Sequence, residues 1–156
     1  MNIRRSLLRS VAIGSVCAVF SSVSLAQETR VKMKDLPDPV RKTVNEQSKG
    51  ATLKGLSKET EKGQTLYEAE LTVQGHSKDV TIDSSGNVVE VEEQVQLTSL
   101  PEAVKAGIKQ NAGGAQISMV ESVVKGGTLQ YYEAHLKKGG KRSEIKIGTD
   151  GKQIKE

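Results

Sequence analysis

The sequence predicts an α+β fold: two tandem repeats, each a helix followed by a four-stranded antiparallel sheet, with both helices on one face of an extended concave sheet. Three observations predict it. The second half of the chain echoes the first, each half opens on a short helix signal, and the residues downstream alternate between apolar and polar at period two.

The duplication is read residue by residue. Leu36-Pro37-Asp38-Pro39-Val40 aligns with Leu100-Pro101-Glu102-Ala103-Val104 at an offset of 64, and Val44 then falls on Ile108, Leu53 on Ile117 and Gly63 on Gly127. After one inserted residue the offset is 65: Tyr67-Glu68-Ala69 matches Tyr132-Glu133-Ala134, Val80 and Ile82 match Ile145 and Ile147, and Gly86 matches Gly151. The units expected are residues 27–98 and 99–156, after a leader at 1–26.

Each unit begins with a helix. Ser99-Leu100-Pro101-Glu102 has the pattern of a capping box, with the serine as N-cap, and Asp35-Leu36-Pro37-Asp38 is its weaker counterpart. Pro39 favours a start at Asp38, because proline suits the first helical turn. Val40 and Val44, like Val104 and Ile108, are four apart and share a face.

Strands follow. Tyr67, Ala69 and Leu71 point one way and Leu66, Glu68 and Glu70 the other; Val80 and Ile82 oppose Thr81 and Asp83; Val89 and Val91 oppose Val88 and Glu90. In the second unit Tyr132, Ala134, Leu136, Ile145, Ile147 and Ile154 take the apolar side. Gly75 and Gly139-Gly140 mark the middle turns, and residues 51–59 and 115–125, less regular, read as edge strands. A unit near 60 residues is marginal alone. The two units are therefore expected to stabilise each other within one sheet.

The first 30 residues read MNIRRSLLRS VAIGSVCAVF SSVSLAQETR: three arginines before an apolar run, then small residues at Ser24 and Ala26. That is the pattern of a bacterial export signal, cleaved between Ala26 and Gln27, which places the chain in the periplasm or outside the cell. The general secretory route is favoured over the twin-arginine route, and the run from Val11 to Phe20 is too short to span a bilayer. Cys17 follows Val16 rather than a small residue, so no lipid anchor is expected.

Without residues 1–26 the chain holds 20 basic and 19 acidic residues and no cysteine. The near-neutral balance argues against nucleic acid as a partner, and thiolate chemistry has no residue to use. Charge is unevenly divided: residues 27–98 hold 10 basic and 13 acidic groups, residues 99–156 hold 10 basic and 6 acidic.

Catalytic and metal-binding patterns are sparse. Asp83-Ser84-Ser85-Gly86-Asn87 is rich in oxygen donors, but the twelfth position counted from Asp83 is Gln94 rather than the bidentate glutamate of an EF-hand. Asp83, Gly86 and Gly151 are read as turn residues, and no metal or other cofactor is assigned. His76, placed in a turn, and His135, on the polar sheet face, are the two histidines and are read as solvated; Glu68 and Glu70 are likewise read as solvating the sheet. No G-x-S-x-G or H-E-x-x-H spacing occurs. An enzyme is not expected.

The Leu-Pro-x-x-Val helix, the Tyr67-Glu68-Ala69-Glu70-Leu71 strand and the hairpin from Asp79 to Glu92 resemble PepSY and PepSY-like domains, most closely in the first unit. In the second unit Gly148 stands where the hairpin aspartate is, and Lys152-Gln153 replaces Asn87-Val88. Tandem chains of this kind resemble the beta-lactamase inhibitor protein, and PepSY domains also occur in thermolysin-type propeptides. The resemblance implies a helix-on-sheet fold and a non-catalytic protein-binding module, an inhibitor or regulator of an envelope or secreted enzyme, and it carries over no catalytic residue. The expected binding face is the polar one: Leu66, Glu68, Glu70, Tyr131, Glu133 and His135, with Tyr131 as its aromatic anchor. The alternative is a small-ligand or metal-responsive envelope sensor.

Overall fold

The computed structural model describes residues 28–61 and 63–155; the leader, with its export and cleavage signals, lies outside them. The fold is a single nine-stranded antiparallel sheet whose strands lie side by side in chain order. The strands are β1 (Thr29–Arg30), β2 (Thr52–Glu61), β3 (Gln64–Val73), β4 (His76–Asp83), β5 (Val88–Gln94), β6 (Gln116–Lys125), β7 (Thr128–Lys138), β8 (Lys141–Gly148) and β9 (Gln153–Ile154). Helix α1 (Asp38–Gln47) precedes β2 and packs on β4, while α2 (Glu102–Asn111) precedes β6 and packs on β8 and β9. The duplicated order, a helix and then four strands, is present twice. No described helix is long and apolar enough to cross a membrane.

Both helices lie on the same face of the sheet. Val40 and Val44 are fully buried with Ala69, Leu71, Val80 and Ile82 in one apolar cluster; Val104 and Ile108 are fully buried with Val120, Ala134, Leu136 and Ile147 in a second. Val91 packs on the first cluster and pairs with Val124 across the β5–β6 junction, whose face-mate four residues back is Val120 of the second. The junction pairs Glu90 through Gln94 with Lys125 through Glu121, so the two cores share one continuous sheet.

Two equivalent turns tie each helix to its sheet. Asp83 N–H donates to the Asn87 carbonyl and Gly86 N–H to the Asp83 carbonyl; in the second unit Gly148 and Gly151 make the same two bonds with Lys152 and Gly148. Gly86 and Gly151 have φ of +89° and +84°, a region costly for any residue with a Cβ. Each is also pressed against its helix: a Cβ would come within 2.9 Å of Pro39 at Gly86 and 2.3 Å of Ala103 at Gly151. Pro39 and Ala103 are themselves equivalent positions. In the first unit Thr43 Oγ1 donates to the Gly86 carbonyl at 2.6 Å; the matching residue in the second unit is Gly107, where the helix backbone meets the Gly151 carbonyl with nothing between.

Several expectations need correction. Ser99 does not cap α2. It closes a 3-10 turn, Leu97–Ser99, and its hydroxyl donates to the Gln96 carbonyl at 2.8 Å, leaving Pro101 at the N-cap with no side-chain bond. Segment 116–125 is no edge strand but the middle of the sheet, paired on both sides, and β2 is likewise flanked by the short β1. The phase of β5 is also different. The register shifts between Thr81 and Ile82, so that Val88 and Val91 face the core and Val89 does not. A bulge inserts one residue and flips everything beyond it. The second unit repeats the effect: Gln153 pairs with Ile147 as Val88 does with Ile82, and Ile154, expected in the core, is 43% exposed. His76 opens β4 opposite Val73 rather than sitting in the turn.

Candidate functional site: the carboxylate face of the sheet

The face turned away from the helices gathers acidic side chains from every central strand. Glu70 on β3 pairs with Asp79 on β4, which pairs with Glu92 on β5, so three carboxylates stand in one row across adjacent strands. Glu68 pairs with Thr81 and Thr81 with Glu90 in the next row. On the far side of the junction Glu121 pairs with both Gln94 and Glu133. Like charges directly opposite in a sheet repel. Here they are also partly withdrawn from water, with Glu121 only 4% and Glu133 only 9% exposed.

Burial and crowding raise the proton affinity of this face. Glu68 is pushed up to about 7, first by burial and then by Asp79, Glu28, Glu70 and Glu59. Glu92 also reaches about 7, through burial and then Glu90, Glu133, Glu121 and Asp79. Asp79 rises to about 6 by burial and the charges of Glu121 and Glu70. Glu133 is raised by burial and by Glu144. Glu68 and Glu70 therefore do not merely solvate a strand, as the alternation suggested; they belong to a crowded, half-buried acidic surface. Cations answer part of it, and Lys146 on β8 stands across from Glu133. Arg30 reaches Glu70 at 2.5 Å, and Lys125 reaches Glu90 at 3.0 Å.

The remaining sequence-derived positions fall around this surface. Leu66 pairs with Asp83 at its first-unit end, half-buried beside a groove that includes Val89, Glu90 and Lys125. Tyr131 is on the same face, half-buried, opposite the fully buried Val123, with the ammonium groups of Lys125 and Lys146 5.9 and 5.5 Å from its ring centre. Both are close enough for cation–π attraction. His135 is not the solvated histidine expected from the sequence: its Nε2 lies 2.7 Å from the Glu121 carboxylate and its Nδ1 3.2 Å from that of Glu144.

Asp83 lies apart from this chemistry. Its Oδ1 accepts from the Ser85 and Asn87 backbone N–H groups and its Oδ2 from Asn87 Nδ2, all at 2.9 Å. These bonds, led by the Asn87 side chain, hold its carboxyl below the ordinary aspartate range. In the second turn Asp150 takes a similar part, accepting from Lys152 N–H at 3.0 Å. Leu66, Glu68, Glu70, Tyr131, Glu133 and His135 share the face, whereas Asp83, Gly86 and Gly151 build the turns. Sequence reasoning missed Arg30, Asp79, Glu92, Glu121 and Glu144. Asp79 and Glu92 were readable as the outward neighbours of Val80 and Val91; Glu121 was hidden by the irregular alternation of its strand.

No curated protein matches the sequence. Among solved structures, the chain is similar to a DUF2874 family protein from Bacteroides ovatus, at 16% identity over 77% of this chain and 85% of that one, with a TM-score of 0.58. It is similar to a protein from Bacteroides eggerthii described as "putative periplasmic", at 16% identity over 77% and 86%, TM-score 0.62. A BLIP-like protein from Bacteroides fragilis matches at 17% identity over 77% and 84%, TM-score 0.55. At such identities the likeness is one of fold. The family model described as "Putative beta-lactamase-inhibitor-like, PepSY-like" matches twice, at residues 23–89 and 65–155, and so covers nearly the whole sequence. With the twice-built helix-and-four-strand unit, this places the chain in the PepSY-like, beta-lactamase-inhibitor-like family.

Proposed function

We propose that this protein is an exported, non-catalytic binding module whose helix-free sheet face docks a basic segment of another protein, and that inhibition or regulation of an envelope or secreted enzyme is the outcome. One observation carries the reading: the row of Glu70, Asp79 and Glu92, flanked by Glu68, Glu121 and Glu133, on a face whose burial and crowding raise the proton affinity of Glu68, Asp79 and Glu92. A lysine or arginine inserted there relieves repulsion that the free protein retains, and complementary charge speeds encounter and sets register. Tyr131 and Leu66 supply apolar contact at the two ends of the face. Family membership, the leader and the periplasmic description of the Bacteroides eggerthii structure support the export and binding parts of the reading. Residues 27–98 and 99–156 are taken as its two units.

The test is capture from envelope extract by the wild type and by an Asp79→Asn, Glu92→Gln double variant, followed by affinity measurement with the purified partner. Wild type is expected to retain a basic partner whose affinity rises between about pH 5.5 and 8, as the raised carboxyls ionise, and falls with salt. The same partner held equally by the double variant, at every pH and salt concentration, overturns the reading.

A further inference from the structure

We propose that Glu133, His135 and Glu144 form a binding site for a divalent transition metal ion of the zinc class, with Glu121 orienting the imidazole. Glu133 and His135 are two apart on β7 and share a face, while Glu144 stands directly opposite His135 on β8. One carboxylate oxygen from each glutamate and one ring nitrogen of His135 all lie within 4.8 Å of one another. A tetrahedral zinc ion with bonds of 2.0–2.2 Å needs ligand atoms roughly 3.3 Å apart. The site must therefore close by about 1.5 Å or less. Glu144, with 56% of its side chain exposed, is free to make that movement.

The imidazole is already held as a metal ligand is held. Glu121, its side chain only 5% exposed, lies 2.7 Å from Nε2 and accepts the proton there, which directs Nδ1 toward Glu144. A ligating histidine commonly donates its second ring N–H to a carboxylate in this way. A second observation is independent of the histidine. Glu133 is 9% exposed and stands opposite one buried acid, Glu121, and near another carboxylate, Glu144, with Lys146 across from it on β8. Like charges held this close repel, and a dication between Glu133 and Glu144 relieves that repulsion.

The donor set selects the class of ion. One imidazole nitrogen and two carboxylate oxygens, with water completing the shell, suit zinc and its first-row neighbours. Calcium prefers six to eight oxygens and gains little from imidazole. Uptake requires a deprotonated Nδ1, so binding releases a proton whenever His135 starts charged. The site is formed within the second unit and needs no partner protein. It stands or falls separately from the docking of a basic segment.

Isothermal titration of the metal-stripped protein with zinc chloride tests the site, with calcium chloride as the comparison. One zinc ion per chain is expected. His135→Ala, Glu133→Gln and Glu144→Gln should each weaken uptake at least 10-fold, and Glu121→Gln about 10- to 100-fold through the lost orientation. His76→Ala, at an exposed position outside the ligand set, should leave uptake unchanged. Metal-free thermal melts identify any variant that has lost its fold, and the exposed Glu144 supplies the variant least open to that objection. Imidazole nitrogen NMR should show His135 with Nε2 protonated and Nδ1 shifted by zinc. The proposal is overturned by no saturable uptake, by uptake indifferent to Glu144→Gln in a folded protein, by equal loss in His76→Ala, or by a preference for calcium.

Discussion

Gly107 and Gly151 meet backbone to backbone: a Cβ built on Gly107 would lie 2.1 Å from the Gly151 carbonyl oxygen. Alanine normally stabilises a helix interior by about 1 kcal/mol relative to glycine. At this position the contact is with rigid backbone, so Gly107→Ala is expected to destabilise by about 2–4 kcal/mol through displacement of α2 or of the turn. Chemical denaturation measures it. A rise in stability would mean that the helix does not approach the turn this closely.

Stability should fall as pH rises through neutrality. The folded-state values near 7 for Glu68 and Glu92 and near 6 for Asp79 exceed the ordinary carboxylate values of 4.5 and 3.8. Between those limits the folded protein holds more protons than the unfolded chain, so this contribution is complete below about pH 4 and is lost by about pH 7. The melting temperature is expected to be higher at pH 5 than at pH 8. Glu92→Gln should raise the unfolding free energy at pH 8, by an amount on the order of 1 kcal/mol, and flatten the profile. A flat wild-type profile would contradict the crowding of this face.

The two adjacent tyrosines should behave differently. Tyr132 packs on the second core and pairs with Ile147, whereas Tyr131 covers Val123 on the opposite face between two lysines. Tyr132→Ala is expected to cost about 3–5 kcal/mol as a core deletion. Tyr131→Ala should cost about 1–2 kcal/mol, with its main effect on partner affinity. Were Tyr131→Ala the more damaging, the register of β7 would be wrong by one residue.

The two units should unfold together. Their sheets are joined through the five cross-strand pairs from Glu90–Lys125 to Gln94–Glu121, and each unit alone is near the lower size limit for a stable core. A single denaturation transition is expected, with fragments 27–98 and 99–156 each far less stable than the whole. Two fragments that melt cooperatively at the temperature of the full protein would separate the units.

The helices and most strands were legible because their signals are local. Val40 with Val44, and Val104 with Ile108, fix helix faces four residues apart; Tyr67, Ala69 and Leu71 fix a strand face by alternation alone. What escaped depended on partners distant in sequence. The bulge that turns Val88 inward and Val89 outward is a property of the β4–β5 register, and the exposure of Ile154 follows from its repetition in β8–β9. Ser99 satisfied a capping pattern whose geometry was taken by the preceding 3-10 turn. The surroundings of His135 come from three strands: its own β7, Glu121 on β6 and Glu144 on β8. No single stretch of sequence contains them.

Because the strands lie in the order in which they occur, every sheet hydrogen bond joins a strand to its immediate predecessor or successor. Nothing synthesised late must be threaded between elements already placed. Apart from the two connections that carry α1 and α2, the closures are short, and such local topologies fold quickly for their strand content. A chain that emerges with its N-terminus leading can add each hairpin to the growing edge of the last, covering that edge as soon as the next strand arrives.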